Sequence, residues 1–113
     1  VDPKGEEALK QLATVLEKNT DINVLIEGHT DNVPFKGGAI KDNWDLSVKR
    51  ATTVVRALIE DTSINPKRLI ASGRSEYVPV DNHNTAEARQ KNRRTEIILT
   101  PDLSALYKVL ESY

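Results

Sequence analysis

The apolar residues of this chain change their spacing repeatedly, from helix-like to strand-like and back. Such a chain must pack helices on a sheet, because neither an apolar stripe nor an apolar strand face is stable in water alone. Ala8, Leu9, Leu12, Ala13 and Leu16 recur at helical intervals. Asp2 can cap that helix, Pro3 suits its first position, and Glu6 and Glu7 complement its dipole. Asn19 reads as its stop. Ile22 to Glu27 is short and rich in β-branched residues, which predicts a strand. A second helix is expected from Trp44 or Asp45 to about Asp61, capped by Asn43 and burying Ala51, Val54, Val55 and Leu58. Asn65-Pro66 breaks the chain, and Arg68 to Gly73 predicts a second strand. Val78 to Val80 is extended and ends at the turn-prone Asp81-Asn82. Thr85 can cap a short helix through Asn92, and Arg94 to Thr100 predicts a third strand, ended by Pro101. Leu103, Leu106, Tyr107 and Leu110 suggest a last amphipathic helix. The expectation is one α+β domain over residues 1–113, with helices on one face of a sheet and 101–113 as a C-terminal helical extension.

A net charge of −1 argues against a nucleic-acid binder, and no cationic apolar helix points to a membrane surface. No apolar run approaches the ~18–20 residues that span a bilayer. No signal peptide is read, since the sequence starts directly on a helix signal. Without cysteine there are neither disulfides nor thiolate metal sites.

The loop after the first strand is the first candidate site. Asp31 follows Gly28, His29 and Thr30, and loops at strand ends concentrate function. It could equally cap its own turn. On a helical wheel, Asn43 and Arg50 share one edge of the second helix's buried stripe, with Ser47 between them. Arg50 thus sits near the helix start, at the border of core and solvent. An arginine fork and an aspartate on neighbouring walls suit the carboxylate and ammonium of an amino-acid end. They could also simply pair with each other, a contact of ~0–1 kcal/mol when exposed. Arg89, Lys91, Arg93 and Arg94 form a basic cluster, which reads as a solvated face or a phosphate patch. Catalytic patterns are poor: Ser47 and Ser72 lack a nucleophile elbow, His29 and Asp31 lack a third metal ligand, and Gly37-Gly38 is no phosphate loop.

Four segments together resemble the OmpA-like (OmpA/MotB/Pal) peptidoglycan-binding family. They are Ile26-Glu27-Gly28-His29-Thr30-Asp31-Asn32-Val33-Pro34; Asn43-Trp44-Asp45-Leu46-Ser47-Val48-Lys49-Arg50-Ala51; Asn65-Pro66-Lys67-Arg68-Leu69 with Gly73 and Pro79-Val80; and Asn84-Thr85 with Arg89 through Ile97. The resemblance runs from Pro3 to about Thr100. It implies a βαβαβ-type sandwich with a mixed sheet and helices on one face. Family members usually carry a strand before the first helix, and that strand is expected to be missing here. Gly often stands where Ala88 does, and a Gly-aromatic-Gly near Gly73-Arg74-Ser75.

The resemblance also implies binding of the peptidoglycan stem peptide at meso-diaminopimelate, with no reaction and no cofactor. Asp31 matches the acidic contact and Arg50 the key arginine. Asn43, Leu46 and Thr30 fall in the same pocket motifs, and Arg93 matches an arginine bordering the ligand. The implied setting is a periplasmic domain anchoring an outer membrane protein or lipoprotein to the wall, in a parent protein that is itself membrane-anchored. One alternative is the wall-anchoring domain of a MotB-type flagellar stator. Another, of a different class, is an interaction scaffold or a wall-modifying enzyme.

Overall fold

The computed structural model describes residues 3–102. The elements are α1 (Pro3–Lys18), β1 (Ile22–His29), α2 (Asn43–Asp61), a 3-10 turn (Pro66–Arg68), β2 (Leu69–Gly73), α3 (Ala86–Asn92) and β3 (Arg94–Pro101). The expected cap at Asp2 and the helix over Leu103 to Leu110 lie outside the described residues. β1 is central in a sheet ordered β2-β1-β3. It runs parallel to β2 and antiparallel to β3. The α+β, mixed-sheet expectation therefore holds.

Alternation along β1 decides which face is core. Val24 and Ile26 are fully buried beside Leu9, Ala13 and Leu16 of α1 and Ala51 and Leu58 of α2. Leu16, Ile26, Leu58 and Val24 each contribute about 1.5–3 kcal/mol by leaving water. Val54 and Val55 are only partly buried at the margin of this cluster. On the other face Ile70 is exposed, and the row Glu27 and His29 opposite Glu96 and Arg94 is polar. Both helices thus cover one side. Their cover thins at β3, where Ile97 and Leu99 stay exposed.

Several boundaries differ from expectation: β1 runs on past Glu27 through Gly28 and His29, which pair with Thr95 and Arg94 of β3. Asp42, not Asn43, caps α2: its backbone is extended, and its carboxylate accepts from Asp45 N at 3.0 Å. Asp45 Oδ2 in turn accepts from Lys41 N at 2.8 Å, so one more amide at the helix start is satisfied. Asn43 is freed to become the first helical residue and to turn inward. Arg68 closes the 3-10 turn instead of opening β2. Its guanidinium donates to Leu16 O at 2.8 Å, to Ile22 O and to Asn19 O, tying the end of α1 to the start of β1.

Two glycines fix where α2 lands. Gly28 and Gly73 are register partners on neighbouring strands. A β-carbon on Gly28 would meet Ser47 O at 1.8 Å, and one on Gly73 would meet Ser47 Oγ at 2.3 Å. The N-terminal turns of α2 therefore rest directly on the strand backbones, beside the end of β1.

Candidate functional site

That contact brings the β1 end and the α2 start together. Thr30, Asp31, Val33, Pro34, Phe35, Leu46, Arg50 and Arg93 line a cavity of about 160 Å³. Asn43 stands behind it. Its buried amide donates to Val33 O at 3.1 Å and Asp31 O at 3.4 Å, holding the loop that carries the aspartate. Thr30 is buried, with its N–H on Ser75 O at 2.9 Å. Of the expected site residues, Thr30, Asp31, Leu46, Arg50 and Arg93 reach the cavity wall, and Asn43 holds the loop.

The charges pair differently from the simplest expectation. Asp31 does not pair with Arg50. Its Oδ1 accepts from Val33 N at 2.9 Å, closing a turn of its own, and its Oδ2 accepts from Arg93 Nη1 at 2.6 Å. Its side chain is only 13% exposed. Arg50 has a buried Nε with no hydrogen-bond partner. Leaving a buried donor unmet costs about 1–3 kcal/mol, more when the group is charged. Groups left in that state in a cavity wall are candidates for meeting a ligand.

The basic cluster disperses. Arg93 goes to Asp31, and Arg94 donates to Val78 O at 2.9 Å and to Glu96 at 3.3 Å. Arg89 donates to Asn84 Oδ1 at 3.1 Å, while Lys91 lies 4.0 Å from Asp81. These side chains do not converge on one anion. His29 also departs from Asp31: it is buried on the sheet's open face, with Nε2 2.9 Å from Glu27 Oε1 and 3.4 Å from Glu96 Oε2. The three ligand atoms lie within 4.8 Å of one another, which could hold a metal ion, although Arg94 already serves Glu96 as a cationic partner.

Several contributors gave little sign in the sequence. Asn92 is buried; its Oδ1 accepts from Val80 N at 2.9 Å and Asp81 N at 3.1 Å, and its Nδ2 donates to Asp81 O at 2.9 Å. It clamps the approach to α3, whose last turn presents Arg93. Phe35 lines the small cavity and also a larger open cleft of about 540 Å³ beside it, with Trp44 and Tyr77, whose rings sit 5.5 Å apart. Aromatics among polar neighbours, Phe35 and Tyr77 in loops and Trp44 at the start of α2, were the available signal. Gly37 and Ile40 exchange two backbone hydrogen bonds, so the polar loop before α2 contains a tight turn.

The model of the OmpA family matches residues 1–93. The chain is 42% identical over 92 residues to motility protein B of Bacillus subtilis (strain 168), covering 81% of this chain and 35% of that protein. The chain therefore spans about a third of that relative's length. Its fold is similar to the C-terminal domain of Helicobacter pylori MotB (TM-score 0.79, 25% identity), covering 99% of this chain and 87% of that one. It is also similar to the peptidoglycan-associated lipoprotein of Burkholderia pseudomallei (TM-score 0.75, 26% identity), covering 88% and 80%.

Proposed function

This chain belongs to the OmpA family, and from that premise we propose that it binds peptidoglycan non-covalently through the diaminopimelate of the stem peptide. The observation that carries the reading is Arg50, which has a buried Nε without a hydrogen-bond partner and lines the same small cavity as Asp31. A carboxylate satisfies that fork, and the neighbouring ammonium faces Asp31. Lysine lacks the side-chain carboxylate, so diaminopimelate is favoured. The structural relative named for its association with peptidoglycan supports peptidoglycan as the ligand.

We read binding and not turnover. Ser47 is fully buried, donates to Trp44 O at 2.8 Å and accepts from Ser75 N at 3.0 Å, which leaves it no role as a nucleophile. The domain would serve as a wall anchor in the cell envelope. An outer membrane protein or lipoprotein is one setting. A flagellar stator is the other, and the 42% identity to a motility protein favours it. No described helix is long and apolar enough to cross a membrane, so an anchor would come from elsewhere in the parent protein. Calorimetric titration with a diaminopimelate stem peptide, with Arg50→Ala alongside, tests the function. Saturable binding lost in the variant is expected; a folded wild type that binds neither stem peptide nor isolated wall overturns it.

A further inference from the structure

We propose that Arg93 occupies the place of the ligand's ammonium in the free domain. The pocket then reads mainly the carboxylate of the stem diamino acid and accepts an acylated amine beside it. This deepens the wall-binding reading above and rests on it.

The cavity is lined by one anion, Asp31, and two cations, Arg50 and Arg93. Asp31 is already served on both oxygens, by Val33 N and by Arg93. Arg50 Nε is served by nothing. Among the residues lining the cavity the unmet demand is therefore for an anion, while Asn43 Oδ1 behind it is an unmet acceptor. A carboxylate on Arg50 satisfies a buried donor and gains a full charge-assisted contact. An ammonium at Asp31 gains much less, because it replaces one cation with another. Arg93 is placed to hold on: it caps the C-terminus of α3, with its N–H on Arg89 O at 3.1 Å, so its backbone is fixed beside Asp31. An amide beside the Arg93 guanidinium carries no charge and leaves the Asp31–Arg93 pair intact. Cross-linking converts the stem amine into such an amide. The ligand class is thus a stem carboxylate flanked by either a free or an acylated amine.

The test is calorimetry with the tetrapeptide stem Ala-γ-Glu-diaminopimelate-Ala, its side-chain amine free or acetylated, against wild type, Arg93→Gln, Arg93→Lys and Arg50→Ala. Wild type should bind the two peptides within about tenfold of each other, less than one charge-assisted hydrogen bond commonly contributes. In Arg93→Gln the preference for the free amine should grow by at least about tenfold, as Asp31 loses its resident cation. Arg93→Lys, which keeps a cation there, should retain the wild-type ratio; thermal unfolding checks that each variant is folded. A wild-type preference well above tenfold, or an unchanged ratio in Arg93→Gln, overturns the inference while leaving wall binding intact. Wild type binding neither peptide nor isolated wall removes the wall-binding reading and this one with it; Arg50→Ala binding both peptides normally removes the Arg50 carboxylate contact on which the inference rests.

Discussion

The carbonyl of Ser47 lies against the α-carbon of Gly28, so closely that a β-carbon there would stand 1.8 Å from the oxygen. No side chain fits without lifting α2 off the sheet. Gly73, directly across the strand pair, meets the same serine. The close approach is what places Arg50, one turn further along α2, in the same cavity wall as Asp31.

Gly28→Ala should therefore cost stability and site geometry together. Overpacking of a tight core typically costs about 1–3 kcal/mol, and a clash with backbone belongs at or above the top of that range. Urea unfolding measures it. A variant within about 0.5 kcal/mol of wild type, the scatter of ordinary surface changes, would show that α2 shifts freely.

Arg50→Met should lose stem-peptide binding yet keep or raise stability. The substitution removes an unmet buried donor while keeping an apolar chain in place of the aliphatic stem. A gain of up to about 1 kcal/mol is expected, as when function holds a group in an unfavourable place. Chemical unfolding and calorimetry on the same sample separate the two effects. A clear loss of stability would mean that Arg50 has a structural partner after all.

Asn92→Ala should destabilise the domain by about 1–3 kcal/mol, since it leaves the Val80 and Asp81 amides without their acceptor. Hydrogen exchange at those two amides should accelerate more than at Val24 and Ile26 in the core. Uniform acceleration would indicate global unfolding instead of a loosened clamp.

Asp81 should titrate low. The backbone N–H of His83 donates to its Oδ1 at 2.9 Å, the His83 ring lies 2.7 Å from the same oxygen, and Lys91 is nearby; these hold its carboxyl below the ordinary 3.8, the backbone hydrogen bond contributing most. Because the folded-state value is depressed, the stability it contributes is present above the ordinary value. It fades as pH falls through the lowered one. Asp81→Asn should flatten this part of the acid limb of thermal stability. A carboxyl carbon titration of Asp81 at or above 3.8 would contradict the assignment.

Much of this was legible in the chain itself, because the signals are local. Helical spacing located α1 and α2, β-branched runs located β1 and β3, and Thr85 capped α3 as its side chain suggested, accepting from Ala88 N at 3.1 Å. The motifs around Asp31 and Arg50 marked both walls of the cavity. Asp42 was missed as the α2 cap because two adjacent residues, Asp42 and Asn43, carry equivalent capping chemistry; the inward turn of Asn43 toward Val33 O separates them only in three dimensions.

The partner of Asp31 was likewise beyond local pattern. Arg93 lies 62 residues away, and it arrives because antiparallel pairing sets His29 opposite Arg94. The same register turns His29 to the open face with Glu27 and Glu96, away from the aspartate two residues on. Sequence thus determined which elements form and which residue types edge the pocket, since periodicity and capping are properties of neighbours along the chain. Which cation meets Asp31, and which is left waiting, was decided by strand register and by the seating of α2 on two glycines, contacts that exist only once distant segments have packed.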